Sequence, residues 1–125
     1  MGPDAIAPDG SEIYNLIDDA ENASLVEVHL GAGLTSRPVR HRTVEELWYV
    51  TAGRGRVWRS APRDPQGETV TVRPGDAIRI PTGWAFQFAA APETGLRFLC
   101  FTSPPWPGPE EVAPVLTGGR GAPTV

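Results

Sequence analysis

The sequence has a single cysteine, no concentration of basic residues and no long apolar run. Cys100 is the only cysteine among 125 residues, which excludes an intramolecular disulfide and a zinc site built from several cysteines. The formal net charge is -4, and the arginines are interspersed with acidic residues, so no basic stripe could follow a phosphate backbone. No stretch approaches the ~20 apolar residues of a membrane helix. We therefore expect neither nucleic acid nor a membrane as a partner.

Two further features are missing from the chain. Met1 to Gly10 contains proline, aspartate and glycine where a signal peptide has a basic start and an apolar segment. This composition predicts a soluble, cytoplasmic protein. Cys100 has no histidine neighbour that would lower the pKa of its thiol, so we expect a small buried side chain there.

Turn-forming residues are abundant, with 14 glycines and 14 prolines. Between the turn signals lie seven short segments typical of strands, and no strong helical period is present. A chain of this length forms one domain of ordinary size. The pattern predicts an all-β sandwich or barrel. The seven segments are Ser24–Leu30, Glu46–Ala52, Gly55–Arg59, Glu68–Val72, Asp76–Ile80, Ala85–Ala89 and Leu96–Thr102.

Three regions follow from the strand pattern: an N-terminal strand or arm (1–23), a barrel (24–102) and a Pro/Gly-rich C-terminal tail (103–125). The tail begins with a proline-rich stretch, 103–109, that cannot form a regular ladder of backbone hydrogen bonds. We expect this stretch to lie across the barrel with Trp106 docked, and the end of the tail to be frayed. A proline-rich ligand for a partner domain is the alternative.

One segment has the spacing of the first cupin motif, G-x5-H-x-H-x4-E-x6-G. Gly33, His41, Glu46 and Gly53 stand at the expected positions, whereas Val39 replaces the first histidine. The glycines permit tight turns between barrel strands, so the fold inference survives the loss of a histidine.

A second segment resembles the second cupin motif, G-x5-P-x-G-x2-H-x3-N. Gly75, Pro81 and Gly83 match, whereas Phe86 occupies the histidine position and Ala90 the asparagine position. The chain is also similar to a group of small stand-alone cupins that share the segments found here at 41–49, 86–88 and 104–108. The resemblance implies a single cupin-type double-stranded β-helix, or jelly-roll barrel, with a proline-rich C-terminal extension.

The resemblance also bears on metal binding, because metal-binding cupins use three histidines and one glutamate. Val39 and Phe86 occupy two of these positions, so we predict no tight metal site and no confident cofactor. A weakly bound divalent ion at His41 and Glu46 is the alternative. It would need a further ligand, and strand alternation turns the three nearby candidates away from the lumen. These candidates are His29, Glu45 and Gln87.

The same alternation predicts a lining for the barrel lumen. If Glu46 faces the lumen, so should Trp48 and Val50; if Phe86 does, so should Trp84 and Phe88. Such walls favour a small apolar or aromatic ligand. Alternatively, the aromatic side chains simply fill the barrel. The predicted ligand-binding residues are Val39, Trp48, Val50, Trp84, Phe86 and Phe88.

Three functions are compatible with this lumen. The first is acid/base isomerisation, cyclisation or elimination, with His41 and Glu46 as the catalytic pair. The second is a non-catalytic, metabolite-binding or regulatory cupin, in which local hydrogen bonds satisfy both side chains. The third is a metal-dependent oxygenase or isomerase with an unusual ligand set.

One expectation concerns a partner. Leu47 and Tyr49 lie on the outward face of their predicted strand, where an isolated barrel would leave them exposed. A homodimer would cover them, and the cupin resemblance implies the same.

Overall fold

The computed structural model describes residues 2–125, which form two antiparallel sheets facing each other. The six-stranded sheet has the order β1-β2-β3-β10-β5-β8 and the five-stranded sheet the order β11-β4-β9-β6-β7. The strands are β1 (Ala5–Ile6), β2 (Glu12–Ile17), β3 (Ser24–Leu30), β4 (Val39–His41), β5 (Glu45–Gly53), β6 (Gly55–Ser60), β7 (Glu68–Val72), β8 (Ala77–Ile80), β9 (Ala85–Ala90), β10 (Leu96–Ser103) and β11 (Val112–Pro114). This architecture confirms the predicted all-β jelly-roll barrel. Across residues 2–125, no helix is long and apolar enough to cross a membrane.

Strand β5 illustrates how the sequence pattern builds the barrel. Its residues alternate, so that Glu46, Trp48 and Val50 are buried while Leu47 and Tyr49 are exposed. The central position of β5, between β10 and β8, fixes this register on both edges. The inward face of β5 therefore points into the space between the sheets.

The connection between β5 and β6 is tight because of one glycine. Gly53 has φ 77°, a conformation that costs a residue with a side chain about 1 kcal/mol or more. A Cβ atom there would also overlap the carbonyl oxygen of Gly95. The motif glycine thus allows the β5–β6 turn to pack against the start of β10.

The core fills the space between the sheets at one end of the barrel. Its most buried apolar side chains come from both sheets and include a central set of aromatic rings. Cys100 belongs to this core and is buried, as its segment predicts. The largest fully buried core side chains are Ile80, Phe86, Phe88, Leu96 and Phe98.

The C-terminal tail is ordered against the five-stranded sheet, so the expectation of a frayed end is wrong. Strand β11 pairs with β4, and the backbone N–H of Thr124 donates to the carbonyl of Thr35. On the outer side of β9, the Gln87 amide donates to the carbonyl of Gly121 and accepts from the N–H of Arg120. The buried Gln87 thus finds in the tail the hydrogen-bond partners that a buried amide requires.

The N-terminal arm (residues 2–23) extends the six-stranded sheet. Strand β2 pairs with β3, and a turn at residues 7–11 joins β1 to β2. The N–H of Arg37 donates to the carbonyl of Asp9, which ties this turn to the barrel. Ser11 is almost completely buried behind the turn. The arm therefore closes one side of the lumen.

Candidate functional site

A cavity of about 440 Å³ occupies the other end of the barrel lumen. The six-stranded sheet supplies most of its wall, β4 and β9 supply the opposite side, and the N-terminal arm and Trp106 complete it. The volume lies within the range of small-molecule sites. Its apolar wall includes Val26, Val28, Val39, Trp48, Phe88 and Phe98.

Aromatic rings make the cavity wall rigid. Trp48 stacks on Phe98, with ring centroids 4.1 Å apart and planes 19° apart. The edges of Phe86 and Phe88 meet Trp48 at centroid distances of 5.7 and 5.2 Å. Such offset and edge-to-face pairs are favourable beyond their buried area. The wall is thus a packed aromatic surface before any ligand enters.

His41 and Glu46 meet at the cavity wall. His41 ends β4, Glu46 lies at the start of β5, and both are buried, with exposed fractions of 5% and 8%. His41 Nδ1 lies 3.6 Å from Glu46 Oε2, too far for a hydrogen bond, and has no other partner in the described chain. Glu46 Oε1 accepts a hydrogen bond of 2.9 Å from Trp48 Nε1. One carboxyl oxygen is therefore fixed, while the other faces an unpartnered ring nitrogen.

Burial sets the charge state of this pair. It raises the pKa of Glu46 to about 7, an effect that the Trp48 hydrogen bond opposes and the charge of Asp9 reinforces. Burial also lowers the pKa of His41 to about 4, although the Glu111 carboxylate acts in the opposite direction. Near pH 7 the ring is therefore neutral, and Glu46 is close to half ionised. The two residues therefore do not form a charged ion pair near neutral pH.

Glu111 holds the chain that follows His41. Its carboxylate accepts hydrogen bonds from the Thr43 hydroxyl at 2.6 Å and from the Val44 N–H at 2.9 Å, as well as from the Thr43 N–H. These hydrogen bonds lower the pKa of Glu111, more than offsetting its desolvation. The C-terminal tail thus positions the short loop between β4 and β5.

Trp106 of the same tail covers His41. The two rings meet edge to face, with centroids 5.3 Å apart, and Trp106 lines the cavity. The docking expected for Trp106 is observed, although 36% of the residue remains exposed. The indole therefore lies between the cavity and solvent.

A model of the cupin domain family matches residues 25–102, the segment that contains most of the strands of both sheets. The chain belongs to the cupin family. No curated protein sequence matches it.

Solved cupin structures share this fold. The polyketide cyclase RemF from Streptomyces resistomycificus is similar at TM-score 0.69 and 25% identity, over 95% of this chain and 82% of that one. KdgF from Halomonas sp. is similar at TM-score 0.66 and 21% identity, over 80% of this chain and 84% of that one. Oxalate decarboxylase from Bacillus subtilis is similar at TM-score 0.74 and 19% identity, over 84% of this chain. The chain spans only 28% of that larger enzyme.

The donors present do not fit the usual cupin metal centre. Val39 and Phe86 bring no ligand atom, and among residues 2–125 no three His, Cys, Asp or Glu side chains are arranged to hold a metal. One imidazole and one carboxylate are fewer than the three protein ligands of a catalytic site. The three further candidates lie elsewhere: His29 contacts Glu27, Glu45 pairs with Arg79, and Gln87 faces the tail.

The structure separates the predicted ligand-binding residues into two groups. Val39, Trp48 and Phe88 line the cavity, together with His41 and Glu46. Val50 and Phe86 are buried in the filled core beyond it, because the space between the sheets closes there. Trp84 precedes β9 in the Pro81 turn, where the alternation of the strand has not begun. For these three, the structure shows no contact with the cavity.

Other lining residues escaped the sequence reasoning. Phe98 alternates with Cys100 on β10, so its inward position was available from the pattern. Asp9 and Ser11 also line the cavity, but they come from the arm, outside both cupin motifs. Their position depends on how the arm folds back, which no local pattern specifies.

Proposed function

We propose that the cavity binds a small, partly apolar or aromatic organic molecule and that Glu46 and His41 catalyse acid/base isomerisation, cyclisation or elimination on it. The observation that carries the proposal is a carboxyl group of pKa about 7 within an aromatic wall, beside an unpartnered imidazole nitrogen. A general base works best when its pKa lies near the working pH. The likeness to a protein named as a polyketide cyclase supports cyclisation as one member of this set.

The proposed chemistry divides the roles unequally. The Glu46 carboxylate takes a proton from a carbon or hydroxyl of the ligand, and the protonated Glu46 then returns it to another position. His41 stays neutral, and its Nδ1–H tautomer donates a hydrogen bond to the oxygen on which negative charge develops. Trp48 keeps the carboxyl group in place through Oε1. The proton balance closes without an external acid or base.

A second candidate is a cupin that binds a metabolite without turning it over. It is favoured by the lowered pKa of His41, which makes the ring a poor proton acceptor near neutral pH. In this case the cavity serves as a sensor, and His41 Nδ1 and Glu46 Oε2 hydrogen bond to the ligand. The two candidates share the ligand class and differ only in proton transfer.

Hydrogen–deuterium exchange into a neutral bicyclic ketone separates these candidates. The protein is incubated with 2-tetralone in D₂O, and loss of the acidic C–H signals is followed by NMR. We expect exchange well above the buffer rate, falling on the order of 100-fold in Glu46→Gln, since a positioned general base contributes about that much. Glu45→Gln is the matched control, because Glu45 is the neighbouring carboxylate and pairs with Arg79 outside the cavity.

Each outcome assigns the cavity differently. Exchange lost in E46Q and kept in E45Q supports catalysis. Binding of 2-tetralone in calorimetry without accelerated exchange supports the binding-only candidate. No binding and no exchange would contradict both.

We also propose that this cupin is a cytoplasmic homodimer. The support for the dimer is the outer face of the six-stranded sheet, where Leu47, Tyr49 and Phe101 remain about half exposed. Leu47 and Phe101 are direct partners in the pairing of β5 and β10, so the exposed side chains form one continuous patch.

A further inference from the structure

Asp9 brings a second carboxyl group to the cavity from the N-terminal arm. It lies in the turn between β1 and β2, where the N–H of Gly10 donates to the carbonyl of Ala7. Its Oδ1 accepts hydrogen bonds from the Ser11 N–H at 2.9 Å and the Ser11 hydroxyl at 2.6 Å. Its side chain is thereby oriented by a residue that is itself buried.

The carboxyl groups of Asp9 and Glu46 are held in a similar way. In each carboxyl group one oxygen is held by donors of the protein, Ser11 for Asp9 and Trp48 for Glu46. In the described part of the chain Asp9 Oδ2 has no hydrogen bond, whereas the Glu46 carboxyl group also interacts with the side chains of Thr102 and Cys100 at the cavity wall. Both residues line the cavity, so two acceptor oxygens are available to one ligand.

The charge of the lining has a single sign. Its ionisable carboxyl groups are Asp9, Asp18 and Glu46, and no arginine among residues 2–125 lines the cavity. Burial raises the pKa of Asp9, although the Ser11 hydrogen bonds and the Arg37 guanidinium act in the opposite direction. Arg37 itself lies outside the lining, where its Nε donates to the Val125 carbonyl. A ligand inside the cavity therefore contacts carboxyl groups and no arginine side chain.

His41 independently indicates that a ligand completes this site. Its Nδ1 is buried in the lining with no hydrogen-bond partner, an arrangement that costs about 1–3 kcal/mol when nothing satisfies it. A ligand hydroxyl group accepts a hydrogen bond from Nδ1–H and donates its own proton to a carboxyl oxygen of the cavity. Ligand binding would thus supply the hydrogen-bond partner that His41 Nδ1 lacks.

We infer that Asp9 is a specificity-determining residue that makes the cavity select neutral or cationic aromatic ligands over anionic ones. The inference rests on the proposed function for the ligand class and adds its charge. An anionic carboxylate would lose its hydration next to like charges, whereas an ammonium group gains two acceptors. Hydroxyl groups donate to the same oxygens without a charge penalty.

Three naphthalene derivatives of similar shape test the inference by calorimetry at pH 8, above the pKa of Glu46. The probes are neutral 2-naphthol, cationic 2-naphthylmethylamine and anionic 2-naphthoate. We expect wild-type protein to bind the amine and the naphthol at least about tenfold more tightly than the naphthoate. Asp9→Asn should reduce the amine-to-naphthoate ratio by about tenfold. Asp19→Asn, an equal charge change at an exposed residue outside the lining, should leave the ratio unchanged.

The results distinguish failure of the inference from failure of the proposed function. Naphthol binding with an amine-to-naphthoate ratio that D9N leaves unchanged would overturn the role of Asp9. If wild-type protein binds naphthoate as tightly as the amine, the role of Asp9 is overturned without any variant. This result would stand even if D9N did not fold. Absence of binding by all three probes would overturn the proposed aromatic ligand itself.

Discussion

The two sheets of the barrel differ in what lies against their inner and outer faces. The six-stranded sheet provides most of the cavity wall on its inner face and a half-exposed apolar patch on its outer face. The five-stranded sheet contributes much of the filled core inside, and its outer face is covered at β9 by the C-terminal tail. The chain thus covers one sheet with its own residues and leaves the other available. Ligand and partner are both expected on the six-stranded sheet.

The largest loss of stability should come from removing a ring from the filled core on the five-stranded sheet. Phe86→Ala removes a fully buried ring from the five-stranded sheet and should lower the free energy of unfolding by about 4 kcal/mol. Phe98→Ala, the same change on the six-stranded sheet, should cost less, about 3 kcal/mol, since that ring borders an existing cavity. Urea denaturation of both variants measures the difference. Equal losses would contradict the division between a filled and an open side.

The next effect is the pH dependence that Glu46 gives to stability. Its pKa is about 7 in the folded state and near 4.5 when unfolded, so folding favours the protonated form. Its contribution is fully present below pH 4.5 and is lost as pH rises through 7. Glu46→Gln should therefore gain about 2 kcal/mol relative to wild type between pH 5 and pH 8. Glu45→Gln, on the outer face, should show no such gain in the same denaturation series.

His41 acts in the opposite direction on the acid side. Its pKa falls from 6.5 to about 4 on folding, so its contribution is present above pH 6.5 and is lost as pH falls toward 4. As far as this pair determines it, wild-type stability should be highest between the acid range, where the His41 contribution is lost, and the neutral range, where the Glu46 contribution is lost. If E46Q and wild-type protein have parallel stability profiles from pH 5 to 8, Glu46 does not have the raised pKa on which the proposed catalysis depends.

The smallest effect on the fold should come from the outer patch of the six-stranded sheet. Leu47→Arg changes an exposed position, so the stability of the single barrel should move by about 0.5 kcal/mol at most. The molecular mass in light scattering should nevertheless fall from dimer to monomer. Leu116→Arg on the tail is the control, because Leu116 is fully exposed. A wild-type protein that is monomeric at micromolar concentration would contradict the homodimer.

The barrel itself was accessible from the sequence because local patterns specify it. Alternation on β5 identified its inward face, and motif glycines such as Gly53 marked turns that need a positive φ. Strand β4 was harder to recognise because three residues, Val39 to His41, are too short to show a period. It is absent from the seven segments that the sequence pattern predicts.

The site was only partly accessible, because half of it comes from segments without a pattern. His41, Glu46 and Trp48 follow from motif spacing and alternation. Asp9 and Glu111 reach the site or its loop through the arm and the tail, whose paths depend on long-range contacts. The charge states were likewise beyond the sequence, since the shift of Glu46 arises from burial.

The hydrogen bond from Trp48 to Glu46 also makes the site observable by light. When Glu46 ionises, a full negative charge appears on a group whose Oε1 lies 2.9 Å from the indole nitrogen. The electronic transition of Trp48 experiences that charge directly, and the stacked Phe98 ring keeps the indole in one orientation. The emission of this tryptophan is thus a built-in optical titration of the carboxyl group, readable without a substrate.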